Sequence, residues 1–179
     1  MVTRKYTADY RLENELDPKT GRLVTRAVYR GDWYGFSAAP EAVAGLKQRD
    51  TVCGVLAALC FAAGLALNAP ATRTMYVLLP FALLLFPLYY TLAGCRRLVT
   101  AKERVTREHR DKICDRLPAS SLFLMILSAL SAAGSVIRWA ALGAVWRDLL
   151  LLLAAALIFV CGLLIFLRRG LLAMRKLPV

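Results

Sequence analysis

Residues 95–118 read CRRLVTAKERVTREHRDKICDRLP and hold eight of the chain's 24 Lys and Arg residues. A run this basic fits a helix that grips nucleic acid, or the inner loop of a membrane protein. The flanking sequence decides between them. Residues 74–95 before the run carry no charged side chain, and residues 117–137 after it carry none either. Further out, residues 51–72 and 149–167 are also free of charge. An α-helix needs about 20 residues to cross ~30 Å of hydrocarbon, so each of the four runs is long enough to span. The chain has 179 residues, 59% of them apolar and 20% charged, and a soluble domain of that size could not bury four helices that are apolar all round. The expected fold class is mainly α and integral to a membrane. It is an up-and-down bundle of four transmembrane helices, with spans at about 51–69, 74–95, 118–137 and 149–167. A β-meander (1–37) and a short helical linker (38–50) precede it, and the whole of 51–179 forms the four-span domain, with residues 96–117 as a basic helical arm.

The charges then set a direction. Nine Lys and Arg precede the first span, eight lie in the 95–118 stretch, and Arg168, Arg169, Arg175 and Lys176 follow the last span. The two short loops on the other side hold only Arg73, Arg138 and Arg147. Because successive spans alternate sides, the split is 21 against 3, and basic residues stay in the cytoplasm. A multi-pass cell-membrane protein with both termini cytoplasmic is expected. The net charge of +12 serves orientation and attraction to anionic lipid, at ~1 kcal/mol per charge near the surface. Arg96, Arg97, Arg168, Arg169, Arg175 and Lys176 are the candidate headgroup contacts. No aromatics interleave with the charges of 95–118, as a nucleic-acid surface would want, so no nucleic-acid partner is expected. The opening residues lack a basic-then-apolar signal pattern, and the first span is expected to act as the targeting signal.

Before the first span, residues 5–36 read KYTADYRLENELDPKTGRLVTRAVYRGDWYGF. Alternation over residues 5–16 predicts a half-buried strand, and Pro18 and Gly21 give turn chemistry. A returning strand carries Leu23, Thr25, Ala27 and Tyr29, which makes a hairpin, or a three-stranded meander where Trp33, Tyr34 and Phe36 add a short third strand. Such a meander is marginal alone. Its aromatic face (Tyr6, Tyr10, Tyr29, Trp33, Tyr34, Phe36) must be covered by the membrane surface, by the basic arm, or by a partner protein, and it is the candidate partner site. Pro40 suits the first turn of the linker helix, with Asp50 as N-cap of the first span.

In the arm, Thr100 and Glu103 have capping-box spacing. Glu103–Arg107 and Glu108–Lys112 make i,i+4 pairs. Ala101, Val105, His109, Ile113 and Leu117 step by four along one side. His109 is the only histidine, and Cys114 five residues on does not share its helix face, so no metal site is expected. The five cysteines include no Cys-x-x-Cys pair, which disfavours a thiol oxidoreductase. No nucleotide loop or nucleophile elbow is present, and no cofactor is expected.

No ionisable group lies in the middle of any span, where ion-coupled transporters usually carry one. Gly54, Ala58, Ala62 and Ala66 recur every fourth residue, a candidate packing stripe. Ser128, Ser131 and Ser135 either reach a neighbouring helix or bond back to their own, and back-bonding is the expected outcome. Pro80 and Pro87 predict a kinked second span, and Trp139, Trp146, Tyr89 and Tyr90 suit interfacial belts. The functional expectation is a non-catalytic membrane protein, an accessory, scaffold or regulatory subunit that meets a membrane or cytoplasmic partner, its own copies, or anionic lipid through its cytoplasmic face. The alternative is a small oligomeric permease or channel for a neutral or lipidic ligand, which would want a polar cavity around the three serines.

Overall fold

The computed structural model describes residues 4–16, 23–143 and 145–177. It is mainly helical, and four helical segments are long and apolar enough to cross a membrane. The first, α1, is Pro40–Ala66, with Pro40 in its first turn, where the missing N–H is no loss. The helix runs through the expected linker without a break, so Asp50 lies in its interior and does not cap it. The second segment is two helices, α2 (Met75–Leu83) and α3 (Leu85–Thr100). Pro80 cannot donate into the ladder of α2, and Pro87 cannot donate into the turn that would fuse α3 to it. Between them the Leu84 amide donates to the carbonyls of both Pro80 and Phe81, at 3.2 Å each. The kink expected from the prolines falls there. The remaining long helices are α5 (Arg116–Leu142) and α6 (Trp146–Leu167), with a short α4 (Arg107–Cys114) ahead of α5.

Packing makes these a ring. Contacts join α1 to α3, α3 to α5, α5 to α6 and α6 back to α1, while α2 also lies on α5. Phe61 and Phe81 stack at 5.2 Å in the middle, among fully buried Leu84, Leu124, Leu151 and Ile158. Two glycines let backbones approach. A Cβ on Gly162 would sit 3.1 Å from the Ser121 carbonyl oxygen, and one on Gly134 would sit 3.1 Å from that of Tyr76. The outer girth is apolar as well: Val52, Leu59, Leu79, Phe86, Leu130 and Leu153 are exposed.

The packing stripe of α1 differs from expectation. Gly54 is buried and Ala58 half-buried, but Ala62 and Ala66 face outward. A step of four overshoots the 3.6-residue turn by about 40°, so a strict four-residue stripe winds off the interface. The buried face alternates threes and fours instead, through Val43, Leu46, Asp50, Cys53, Ala57, Phe61 and Gly64.

One end of the bundle carries small sheets. β1 (Tyr10–Leu16) and β2 (Leu23–Tyr29) form an antiparallel hairpin in which Tyr10 faces Tyr29; the turn assigned to Pro18 and Gly21 lies outside the described residues. Of the two- and three-stranded forms expected, the two-stranded hairpin is the one that forms. β3 (Trp33–Phe36) leaves the hairpin and lies between β4 (Val105–Thr106) and β5 (Met174–Lys176), antiparallel to both. The first strand does not begin at residue 5, because Arg4–Asp9 winds as 3-10 turns that turn Tyr6 inward.

The arm is not one helix from Thr100. That hydroxyl donates to the Arg96 and Arg97 carbonyls of its own helix, at 3.1 Å each, and so finishes α3. Residues 101–106 are non-helical, which puts Glu103 out of register with Arg107, whereas Glu108 and Lys112 do pair within α4. Ala101, Val105, Ile113 and Leu117 of the step-of-four series are all buried, and His109 is exposed.

Candidate functional site at the basic end

The three most basic stretches of the sequence meet in one layer. The sheet β4-β3-β5 takes one strand from the N-terminal segment, one from the middle loop and one from the C-terminal segment. Hydrogen bonds from the Ser37 amide to the Ala173 carbonyl (3.0 Å) and from Leu177 to Trp33 (2.8 Å) extend the pairing.

The layer's aromatic residues are covered by the chain itself. Tyr6 is 4% exposed and donates to Asp111 Oδ2 of α4 at 2.9 Å. Tyr29 donates to the Asp32 carbonyl at 2.7 Å and accepts from the Arg107 amide at 3.0 Å. Burial pushes its phenol above the usual range, and the Arg107 amide pulls the other way. Tyr10 is also raised, by burial first and then by Glu108 and Asp9. Tyr10, Tyr29 and Trp33 meet edge to face at 5.2 and 5.1 Å. The Arg110 guanidinium lies 4.8 Å from the Tyr34 ring, and the Lys47 ammonium 6.0 Å from that of Phe36. The arm thus supplies part of the expected cover, and Tyr10, Tyr29, Trp33, Tyr34 and Phe36 remain half-buried. What projects is the hairpin, where Leu12 is 76% and Leu23 72% exposed.

The candidate headgroup cations divide. Arg168 is committed to Asp50, with Nη1 3.2 Å from a carboxylate that is 0% exposed. Lys176 pairs with Asp32 at 2.8 Å, and that hydrogen bond raises its pKa. Arg169 rests on Phe166, 4.4 Å from the ring. Arg96, Arg169 and Arg175 are exposed, and Arg97 is half-buried.

Sequence reasoning missed two buried ion pairs. Asp50–Arg168 ties α1 to the turns after α6, and the Cys95 thiol donates to the Asp50 carbonyl at 3.3 Å beside it. At the opposite end Asp148 pairs with Arg138 and accepts from the Ala71 amide at 2.9 Å, joining α6, α5 and the loop after α1. The signal for Asp50 was available, since it occupies a position on the three-and-four stripe of α1. Asp148 has no comparable marker.

The three candidate serines turn inward and are buried. Ser128 donates to the Met125 carbonyl at 3.0 Å and Ser135 to that of Ser131 at 2.9 Å, as back-bonding predicts. Ser131 is fully buried and its hydroxyl has no partner among the described residues. A cross-helix bond does occur lower down, from Thr91 to Ser120 at 3.1 Å. Apolar grooves lie on the outside of the bundle. One of them, about 700 Å³, separates α2 and α3 from α5 and includes Ser120 but none of the three candidate serines. His109 and Cys114 do not converge, the Cys114 thiol donating instead to the Leu172 carbonyl at 3.1 Å. Among the described residues no three His, Cys, Asp or Glu side chains gather as a metal site. The chain matches no protein-family model, no curated protein and no solved structure.

Proposed function

We propose that this chain is a four-span integral membrane protein with its basic end in the cytoplasm, acting without catalysis as an accessory or scaffold subunit. The observation that carries this reading is the sheet β4-β3-β5. It gathers the three segments bearing 21 of the 24 Lys and Arg residues at one end of four apolar helices. A bilayer would take the exposed apolar girth out of water, a gain of ~25 cal/mol per Å². The basic layer would then be retained inside.

A contact role is better supported than chemistry. The aromatic residues are engaged with the arm, so a partner would meet the projecting β1–β2 hairpin. Its Leu12 and Leu23 are exposed, and its strands pair with no third strand among the described residues. Exposed strand edges are a common template for adding a partner strand. A permease would want Ser128, Ser131 and Ser135 along a cavity, and the hydroxyls of Ser128 and Ser135 return to their own helix.

Labelling tests the orientation. In a cysteine-free background, Arg73→Cys should react with an impermeant maleimide on intact cells, and Arg175→Cys only after the membrane is opened. The reverse pattern would invert the topology. Weighing the complex extracted from its own membrane by native mass spectrometry tests the scaffold role. A stoichiometric second protein, lost on Leu12→Asp with Leu23→Asp, is expected. A lone homo-oligomer holding a small ligand would favour the permease.

A further inference from the structure

We infer that the groove between α2/α3 and α5 binds one anionic phospholipid, with the phosphate on Arg116 and an acyl chain along the groove. The inference rests on the membrane-spanning reading and goes beyond it by assigning a ligand site. The groove holds about 700 Å³ and is walled by Phe86, Pro87, Tyr90, Phe123 and Leu127, with Arg116 at the basic end. It exists because the backbone breaks at Leu84, between two prolines that prevent α2 and α3 from lying as one rod against α5.

Its dimensions suit one leaflet. From Arg116 to Leu127 the wall runs about 16 Å at the ~1.5 Å rise of a helix, roughly half of a ~30 Å hydrocarbon core. A lipid headed at Arg116 would therefore end its chain near the bundle's mid-height.

Charge selects the headgroup. Arg116 is exposed and has no ion pair or hydrogen bond to another described residue, unlike Arg138, Arg168 and Lys176. Among the described residues it is the only charged one lining the groove, and no carboxylate lines it. Two other apolar grooves lack a charged lining residue. One runs between α2 and the far half of α5 (650 Å³), and the other between α1 and α6 (560 Å³). Those would accept any acyl chain, whereas the Arg116 groove would discriminate by phosphate charge.

The test is native mass spectrometry of the full chain in detergent, titrated with dioleoyl phosphatidylglycerol or dioleoyl phosphatidylcholine. The first adduct should form with phosphatidylglycerol at about five-fold lower lipid concentration, the ratio given by ~1 kcal/mol per basic residue. Arg116→Gln should erase that preference. Ala119→Trp, at an exposed position in the groove wall, should weaken both lipids. Arg104→Gln, at an exposed position of the non-helical stretch 101–106, should leave the preference intact. Equal affinities in the unaltered chain would overturn the proposal. So would a preference that survives Arg116→Gln in a variant of unchanged helical circular dichroism, or one lost equally in Arg104→Gln. Flotation with phosphatidylcholine vesicles after alkaline washing separates the two readings. A chain that floats without lipid preference loses only this site, and one that fails to float loses the membrane reading and the site together.

Discussion

Asp50 has no contact with water, and one of its carboxylate oxygens has no partner among the described residues. Its charge is therefore balanced by Arg168 alone among cations at hydrogen-bond distance. Removing one member of a buried pair is far more damaging than replacing both by apolar groups. Arg168→Met is accordingly expected to cost about 3 kcal/mol, measured by denaturation in detergent micelles. Asp50→Leu with Arg168→Met should recover most of that loss. A double variant no better than the single one would mean that the pair holds the end of α6 by its geometry and not by neutralising a charge. Arg168 also marks a limit of sequence reading. Its place after an apolar run reads as a headgroup contact, and only the fold reveals a carboxylate 118 positions away in the chain. Asp50 was legible in part, because it interrupts an otherwise apolar stripe. Arg116 was not, since one cation within a run of eight carries no mark of the groove it faces.

The elements were legible where their cause is local. Hydropathy depends only on residues within a run, and all four runs appear as helices, with the break in the second where its prolines put it. Strand partners are a different matter. The aromatic residues Trp33, Tyr34 and Phe36 mark β3 as extended, yet its register is set by Val105–Thr106 and Met174–Lys176, far along the chain. A hairpin neighbour was the nearest guess, and the distant partners won because they cover both edges. The same limit applies to helix faces. Counting small residues in fours chose Ala62 and Ala66, while the close approaches belong to glycines whose neighbours lie on other helices. Gly162→Leu is expected to force the Met125 side chain and the Ser121 backbone away from α6, at a cost of about 2 kcal/mol. Ala62→Leu, on the outward face of α1, should leave the monomer's thermal unfolding unchanged. Equal losses in the two variants would place the interface elsewhere.

Across the whole molecule, the basic layer acts as a clasp. The bundle's ring of contacts is made by the long helices, and the sheet β4-β3-β5 adds a separate tie between the front, middle and rear of the chain. Ending the chain after Ala173 removes β5 and leaves β3 paired on one side only. Amide exchange across Trp33–Phe36 should then quicken, while amides in the buried parts of α5 and α6 keep their protection. Uniform loosening of the helices would instead make the sheet a condition for the bundle itself.

The order in which these strands leave the ribosome has its own consequence. Met174 is made roughly 140 residues after Phe36, a delay of about 7–28 s at ~5–20 residues per second. In the orientation proposed above, the third strand would wait through that interval without its second neighbour, an open template that chaperones or a binding partner could occupy first. The front of this protein is thus completed by its rear, and an unclaimed strand edge would mark the molecule that is not yet finished.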